Sequence, residues 1–221
     1  MSVETHRILI GSCGWKHPEW LDSFYSDDLP DDWQLGFYSN EFPVVYVETE
    51  DWLHSDVLQW TEDVSDSFRF ILEISSNILL NDKLFAEAIN KAKSLEDLCL
   101  GFVIQVEDNI EISHLEKKIT LAQEVAPVCV DSMDDFLSKW FIEKQLSTVW
   151  DGVSELGETL ALGQLAVTRI SGQDFDMPKL RYVIEGCLSA SDESRISVLF
   201  IDGKPPSLEL LRNADIILNL L

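Results

Sequence analysis

Eight short apolar segments, rich in β-branched residues, recur about 20 to 30 residues apart, and most are followed by a segment with helical periodicity. This repeat is typical of βα units and a parallel sheet, and eight such strands close naturally into a barrel. We therefore predict an α/β protein, a single (β/α)8 TIM-barrel-like domain over residues 1–221. The strands are expected at Ile8–Ser12, Val44–Glu48, Phe68–Ser75, Leu100–Glu107, Pro127–Asp131, Leu146–Trp150, Leu165–Ser171 and Ile196–Asp202.

The segments between these strands predict helices. The sixth connection, Gly152 to Leu162, is short and poorly patterned, so one helix of the barrel is expected to be degenerate. Asp82 and Ser207 stand where N-caps would be. The helices are expected at Asp31–Phe42, Ser55–Val64, Asp82–Asp97, Ile112–Ala126, Asp134–Lys144, Met177–Ser189 and Ser207–Leu221.

The chain is strongly acidic, with 40 Asp and Glu against 16 Lys and Arg and a formal net charge of −24. A field of this sign repels phosphate backbones and anionic lipid, so we expect no nucleic-acid partner. The acidity fits a well-solvated surface, and it also fits a cationic ligand, a basic protein partner or a divalent metal. These alternatives stay open.

The N-terminus lacks a basic-then-apolar leader, and no apolar run approaches the roughly 18 residues of a membrane span. We therefore expect neither secretion nor membrane insertion. The cysteines are far apart, without C-x-x-C spacing, which indicates reduced, buried thiols and a cytoplasmic location. They are Cys13, Cys99, Cys129 and Cys187.

The first strand leads into a long connection that is rich in aromatic rings. Gly11 and Gly14 at the strand end permit a sharp turn or a close approach to a ligand, and Trp15 and Trp20 follow within ten residues. Long loops in compact domains are often functional, so these indoles are expected either to cover the barrel mouth near Arg169 or merely to plug it. His17 lies in the same loop and is the one histidine placed to act as an acid or base.

Helices cover the outer face of a parallel barrel, so charged residues near the ends of strands are expected to point into the lumen or the mouth. Arg169 is the one cation among them, and Glu73 is its expected partner in an internal ion pair. Alternatively, the arginine binds a ligand carboxylate or phosphate. The clustered acids could instead hold Mg²⁺ or Mn²⁺. The residues selected in this way are Glu48, Glu73, Gln105, Glu107, Asp131, Asp151, Arg169, Ser171 and Asp202.

The opening motif from Ile10 to Trp20, with Phe24 and Tyr25 after it, resembles the Gly-x-Ser-Gly-Trp start of the YecE-like family of domains of unknown function (DUF72). Later segments resemble further strands of that family. The resemblance implies a (β/α)8 barrel of unknown activity. The segments that carry it are Trp33–Ser39 with Phe42, Leu100–Gln105, Val167–Gly172 and Val198–Asp202.

The chain departs from the family pattern at polar positions. Tyr46 stands where the family has a glutamate, Glu48 where it has an asparagine, Glu73 where it has a lysine and Ser171 where it has a histidine. The family's paired asparagines correspond to Ile201 and Asp202. The resemblance therefore implies a divergent member that has lost most of the family's polar site residues.

We expect such a protein to bind a small-molecule ligand or a basic protein partner. The alternative is a metal-assisted hydrolase or lyase with an acidic site at the barrel mouth, so catalysis and cofactor stay open. The residues expected to bind the ligand are Trp15, His17, Trp20, Glu48, Glu73, Gln105, Arg169, Ser171 and Asp202.

Overall fold

The computed structural model describes residues 8–107, 110–132, 135–156, 160–171, 175–192 and 194–221. Eight parallel strands form one sheet in the order β6-β5-β4-β3-β2-β1-β8-β7, which confirms the predicted TIM-barrel-like fold. The strands are β1 (Ile8–Cys13), β2 (Val44–Val47), β3 (Arg69–Ile74), β4 (Cys99–Val106), β5 (Val128–Ser132), β6 (Ser147–Thr148), β7 (Leu165–Ser171) and β8 (Ile196–Asp202).

Helices follow the strands and cover the outside of the sheet. Short 3-10 turns at Pro18–Trp20, Asp31–Trp33 and Lys93–Leu98 add to them. The α-helices are α1 (Gln34–Glu41), α2 (Thr49–His54), α3 (Val57–Asp63), α4 (Ser76–Leu80), α5 (Asp82–Ala92), α6 (Ile112–Gln123), α7 (Asp135–Glu143), α8 (Met177–Ala190) and α9 (Leu208–Leu218).

The sheet is nearly closed, and the seam lies between β6 and β7. Beyond the two residues of β6, a single bridge joins Trp150 to Thr168. The backbone N–H of Trp150 donates to Val167 O at 3.0 Å, and that of Arg169 donates to Trp150 O at 2.9 Å. These two hydrogen bonds join β7 to the residue Trp150 that follows β6, and so connect the two sides of the seam.

Two separate hydrophobic layers follow from the alternation of side chains along the strands. Outward residues such as Val45 and Leu72 pack under the helices. Inward residues such as Val44, Ile71 and Val103 fill the lumen with apolar side chains. In the lumen, the polar side chains of Glu73, Gln105 and Arg169 follow this apolar layer toward the carboxyl ends of their strands.

Gly11 is required on β1 by a close backbone approach. A β-carbon at this position would lie 1.9 Å from the carbonyl oxygen of Val44 on β2. No such contact is tolerated, so only glycine allows the two strands to pair here. The first of the two motif glycines thus serves the fold.

The helices differ from the sequence-based expectation in two connections. Thr49–His54 and Ser76–Leu80 form short helices that were not predicted. The predicted helix Asp134–Lys144 begins at a residue outside the described part of the chain, and its described portion is helical. Between Gly152 and Leu162, the described residues form turns and bends without a helix, in agreement with a degenerate sixth unit.

In the ranges that the structure describes, none of the helices combines the length and the hydropathy needed to cross a bilayer.

Candidate functional site

Five inward side chains form a connected polar network at the carboxyl ends of the strands. They come from β2, β3, β4, β5 and β7, and each follows the apolar lumen residues of its own strand by two positions. The network sits where barrel enzymes and binding proteins place their sites. Its members are Tyr46, Glu73, Gln105, Asp131 and Arg169.

Glu73 is the acceptor at the centre of the network. Its Oε2 accepts from the Tyr46 hydroxyl at 2.7 Å and from Gln105 Nε2 at 2.9 Å. Its Oε1 accepts from the Thr49 hydroxyl at 3.0 Å and the Thr49 backbone N–H at 3.3 Å. The carboxylate is buried, and these donors replace the water that it loses. Glu73 therefore also fixes the start of α2.

Arg169 forms its ion pair with Asp131. The sequence had predicted Glu73 as its partner, and that prediction is wrong. Arg169 Nη2 lies 2.7 Å from Asp131 Oδ2, and Arg169 Nη1 donates to the Tyr46 hydroxyl at 3.2 Å. The guanidinium also lies over the Tyr46 ring, 5.5 Å from its centroid. Glu73 is thus linked to Arg169 through the Tyr46 hydroxyl and not by a direct hydrogen bond.

The surroundings keep Tyr46 neutral. Burial is the main cause that raises the pKa of Tyr46 well above its ordinary value, and the charge of Glu73 raises it further. For Arg169, burial alone would lower the pKa, but the negative charge of Asp131 raises it. The network therefore holds a neutral phenol between a charged arginine and a buried carboxylate.

A cavity of about 360 Å³ opens at the ends of β1, β2 and β8, and we call it the mouth pocket. This volume is in the range of small-molecule sites. Its walls carry four carboxylates and two lysines. The lining residues are Cys13, Gly14, Trp15, Lys16, His17, Pro18, Glu19, Glu48, Asp51, Ser55, Asp202, Gly203 and Lys204.

Glu48 and Asp202 bring carboxylates from two strand ends to the mouth pocket. Burial is the first cause that raises the pKa of Glu48, and the negative charges of Glu73 and Asp51 raise it further. Asp202 Oδ1 accepts from the Gly203 N–H at 2.7 Å. Burial and neighbouring negative charge therefore both favour the protonated form of Glu48.

The two potential reactive groups of the mouth pocket are uncharged near neutral pH. Burial raises the pKa of the Cys13 thiol well above its ordinary value, and Asp202 adds to the effect. Burial also lowers the pKa of His17, whose Nε2 donates to Cys13 O at 3.0 Å. Cys13 is therefore a poor nucleophile, and all four cysteines are free and buried.

The two indoles of the first connection pack in the outer hydrophobic layer instead of covering Arg169. Trp20 is fully buried, stacks near Tyr38 with ring centroids 6.3 Å apart, and donates from Nε1 to Pro206 O at 3.1 Å. Trp15 packs edge-on against Trp60 at 5.1 Å and also forms part of the pocket wall. Trp20 thus fills space in the outer hydrophobic layer, and Trp15 belongs to the same layer but also reaches the mouth pocket.

Three other residues selected from the sequence lie apart from the network. Ser171 is exposed at the end of β7. Glu107 accepts from the Ser76 hydroxyl at 2.6 Å at the start of α4. Asp151 organises the turn after β6 by accepting from the N–H groups of Val153 and Ser154. Glu107 and Asp151 therefore hold local structure.

Among the described residues, no three His, Cys, Asp or Glu side chains lie close enough together to hold a metal ion. The acids of the mouth are spread around the pocket wall. The geometry of the described residues gives the metal-assisted alternative no specific support.

Sequence reasoning missed Tyr46 and Thr49 as members of the site. Tyr46 lies in an apolar strand and was treated only as a departure from the family pattern. Strict alternation would have placed it on the same face as Glu48, two residues later. Thr49 could not be found in this way, because its place depends on contact with Glu73 from another strand.

The fold and the polar mouth define a (β/α)8 barrel whose site lies at the carboxyl ends of its strands. The family model described as "Protein of unknown function DUF72" matches residues 9–162, more than half of the chain. The chain therefore belongs to the DUF72 family, as the opening motif predicted.

Solved structures agree with this assignment. A DUF72 family protein from Enterococcus faecalis has a TM-score of 0.73 at 14% identity, over 97% of this chain and 96% of that chain. Gas2p from Saccharomyces cerevisiae, solved in complex with laminaripentaose, has a TM-score of 0.55 at 11% identity. That match covers 95% of this chain and 64% of Gas2p, and at this identity it shows a shared fold alone. No curated protein matches the chain.

Proposed function

We propose that the protein is a binding member of the DUF72 family that takes a small molecule with a cationic group, such as an ammonium, into the mouth pocket. The observation that carries this proposal is the pair of carboxylates, Glu48 and Asp202, on the wall of a cavity of about 360 Å³. Burial is the first cause that raises the pKa of Glu48, and a cation placed there would offset the further effect of the neighbouring carboxylates.

The lining of the pocket supports a cationic ligand over an anionic one. Glu19, Glu48, Asp51 and Asp202 outnumber Lys16 and Lys204, and His17 is neutral because its pKa is lowered.

Binding without catalysis is favoured by the chemistry of the available groups. Cys13 is held as a thiol by its raised pKa, and Arg169 is engaged by Asp131 and Tyr46. The neighbouring network is held together by internal hydrogen bonds, so it acts as a rigid floor.

The proposal is tested by calorimetric titration with three probes of similar size: 1,5-diaminopentane, glutarate and xylitol. We expect the diamine to bind and to raise the melting temperature, since a ligand that binds only the folded state stabilises it. Preference for glutarate or xylitol, or no binding of the diamine, would contradict the proposal.

Charge-neutral variants locate the site. Glu48→Gln and Asp202→Asn should each weaken diamine binding about tenfold, which corresponds to the loss of one charge-assisted contact. Glu50→Gln is the matched control, because Glu50 lies on α2 beside the pocket and its side chain is 87% exposed. An equal effect of all three changes would show that the diamine responds only to the overall charge of the surface.

A further inference from the structure

A second cavity of about 450 Å³ lies on the helix side of the first connection, and we call it the side groove. It runs between the turn Asp31–Trp33, the start of α1 and the helix α3. Trp15 and Lys16 line both cavities, so the two are neighbours. The mouth pocket does not account for the side groove, which has a different set of carboxylates.

Four aspartates line the side groove, and neutral groups hold three of them in place. Asp31 Oδ1 accepts from Gln34 Nε2 at 3.1 Å, and Asp63 Oδ1 accepts from Gln59 Nε2 at 3.0 Å. Asp56 caps α3 by accepting from the Leu58 N–H. In the described part of the chain, no lysine, arginine or histidine forms an ion pair with these three or with Asp32. Lys16 also lines the groove, with its amine over the Trp15 ring at 5.7 Å from the centroid, so the four aspartates outnumber one lysine and the groove keeps a net negative charge.

Aromatic rings complete the side groove. Trp33 is 68% exposed, an unusual position for the largest apolar side chain, while Trp60 and Trp15 are buried beneath the surface. The Trp15 ring is 4% exposed, and its indole N–H has no hydrogen-bond partner among the described residues. A buried donor without an acceptor is costly, and Trp15 is part of the groove wall.

We propose that the side groove binds a lysine or arginine side chain from a basic segment of a partner protein. The aliphatic stem would lie on the exposed face of Trp33, and the cationic head would reach the carboxylates of Asp32 and Asp63. A backbone carbonyl of the same segment is the kind of acceptor that the Trp15 indole lacks.

The charge of the whole molecule favours this occupant. A net charge of −24 attracts a basic segment from a distance and repels nucleic acid. The site is built from residues other than Glu48 and Asp202, so the proposal stands independently of ligand binding at the mouth pocket.

The test is a fluorescence anisotropy titration of the full chain with a labelled ten-residue peptide of alternating lysine and glycine. An acetyl-lysine version of the same peptide is the probe control. We expect binding of the lysine peptide and at least tenfold weaker binding of the acetylated one. Absence of lysine-peptide binding at low ionic strength would overturn the proposal, as would binding of both peptides alike.

Matched variants separate the side groove from the general acidity of the surface. Asp32→Asn with Asp63→Asn should weaken lysine-peptide binding about tenfold or more. The control is Glu62→Gln with Asp66→Asn, which removes the same amount of negative charge. Both residues are exposed near the end of α3, and neither lines the groove. This control should change affinity less than about threefold. Equal losses in the two double variants would overturn the proposal.

The role of the exposed indole is tested in the same way. Trp33→Ala should weaken binding about three- to fivefold, the size of an exposed cation–π contact. Leu58→Ala is the control, because Leu58 is 59% exposed on α3 and does not line the groove. Direct binding of spermidine that depends on Trp33, measured by calorimetric titration, without binding of the lysine peptide would assign the groove to a small amine and overturn the protein partner.

Discussion

Arg169 on β7 and Asp131 on β5 form an ion pair of 2.7 Å across the strand that lies between them. The intervening strand, β6, is only Ser147–Thr148, and both charged residues extend past its end. The side chains of the pair are 25% and 24% exposed. A short sixth strand thus lets two non-adjacent strands share one ion pair.

The pairing of Arg169 can be measured with a double-mutant cycle. Asp131→Asn should lower the free energy of unfolding by about 1.5–3 kcal/mol, since a hydrogen bond between charged groups is lost. Combined with Arg169→Met, the two changes should show a coupling energy of about 0.5–3 kcal/mol in urea denaturation. The parallel cycle of Glu73→Gln with Arg169→Met should give a smaller coupling, because Tyr46 separates these groups. A larger coupling for Glu73 would restore the direct pair expected from the sequence.

Glu73 should be the most sensitive polar residue of the barrel. Glu73→Leu removes the acceptor for Tyr46, Thr49 and Gln105 and should destabilise the protein by about 3 kcal/mol or more. Glu73→Gln retains an acceptor oxygen and should cost less than half as much. Denaturation of Glu87→Leu, an exposed change on α5, is the control and should shift stability by about 0.5 kcal/mol at most. Similar values for the two leucine variants would show that the network does not stabilise the fold.

Ionisation of Glu48 should lower the free energy of unfolding as pH rises. Its pKa is raised above the ordinary 4.5, so the folded protein holds this proton to higher pH than the unfolded chain. Between the two pKa values unfolding releases the proton, and the destabilisation is complete above the folded pKa. Glu48→Gln should therefore raise the melting temperature near pH 7 and change it little near pH 4. Melting curves at both pH values check this, and a gain confined to the acidic side would contradict it.

The strands were the part of the fold that the sequence predicted most accurately. Leu165–Ser171 and Ile196–Asp202 have the bounds expected from their β-branched runs, because both strands are paired along their length and buried. A strand was predicted over Leu146–Trp150, but only Ser147 and Thr148 form one, because the pairing of β6 with β5 ends at Thr148. The helix Thr49–His54 was missed because six residues are too short to show helical periodicity, and contacts with Glu73 place it.

For the site, alternation along the strands predicted which side chains face inward but not which of them meet. Glu73, Gln105 and Arg169 do belong to one network. Their partners depend on the length of each side chain and on the order of the strands around the barrel. The short sixth strand, which brings Asp131 within reach of Arg169, has no local signature in the sequence.

The several attachments of Glu73 limit how this barrel can evolve. In the family pattern that the chain resembles, a lysine corresponds to Glu73 and a glutamate to Tyr46. A lysine at 73 alone would remove the carboxylate that accepts from Tyr46, Gln105 and Thr49, and would set an ammonium beside the Thr49 N–H. A glutamate at 46 alone would set two carboxylates side by side. The paired change would set a lysine and a glutamate side by side, so the two positions are expected to change jointly in descendants of this chain.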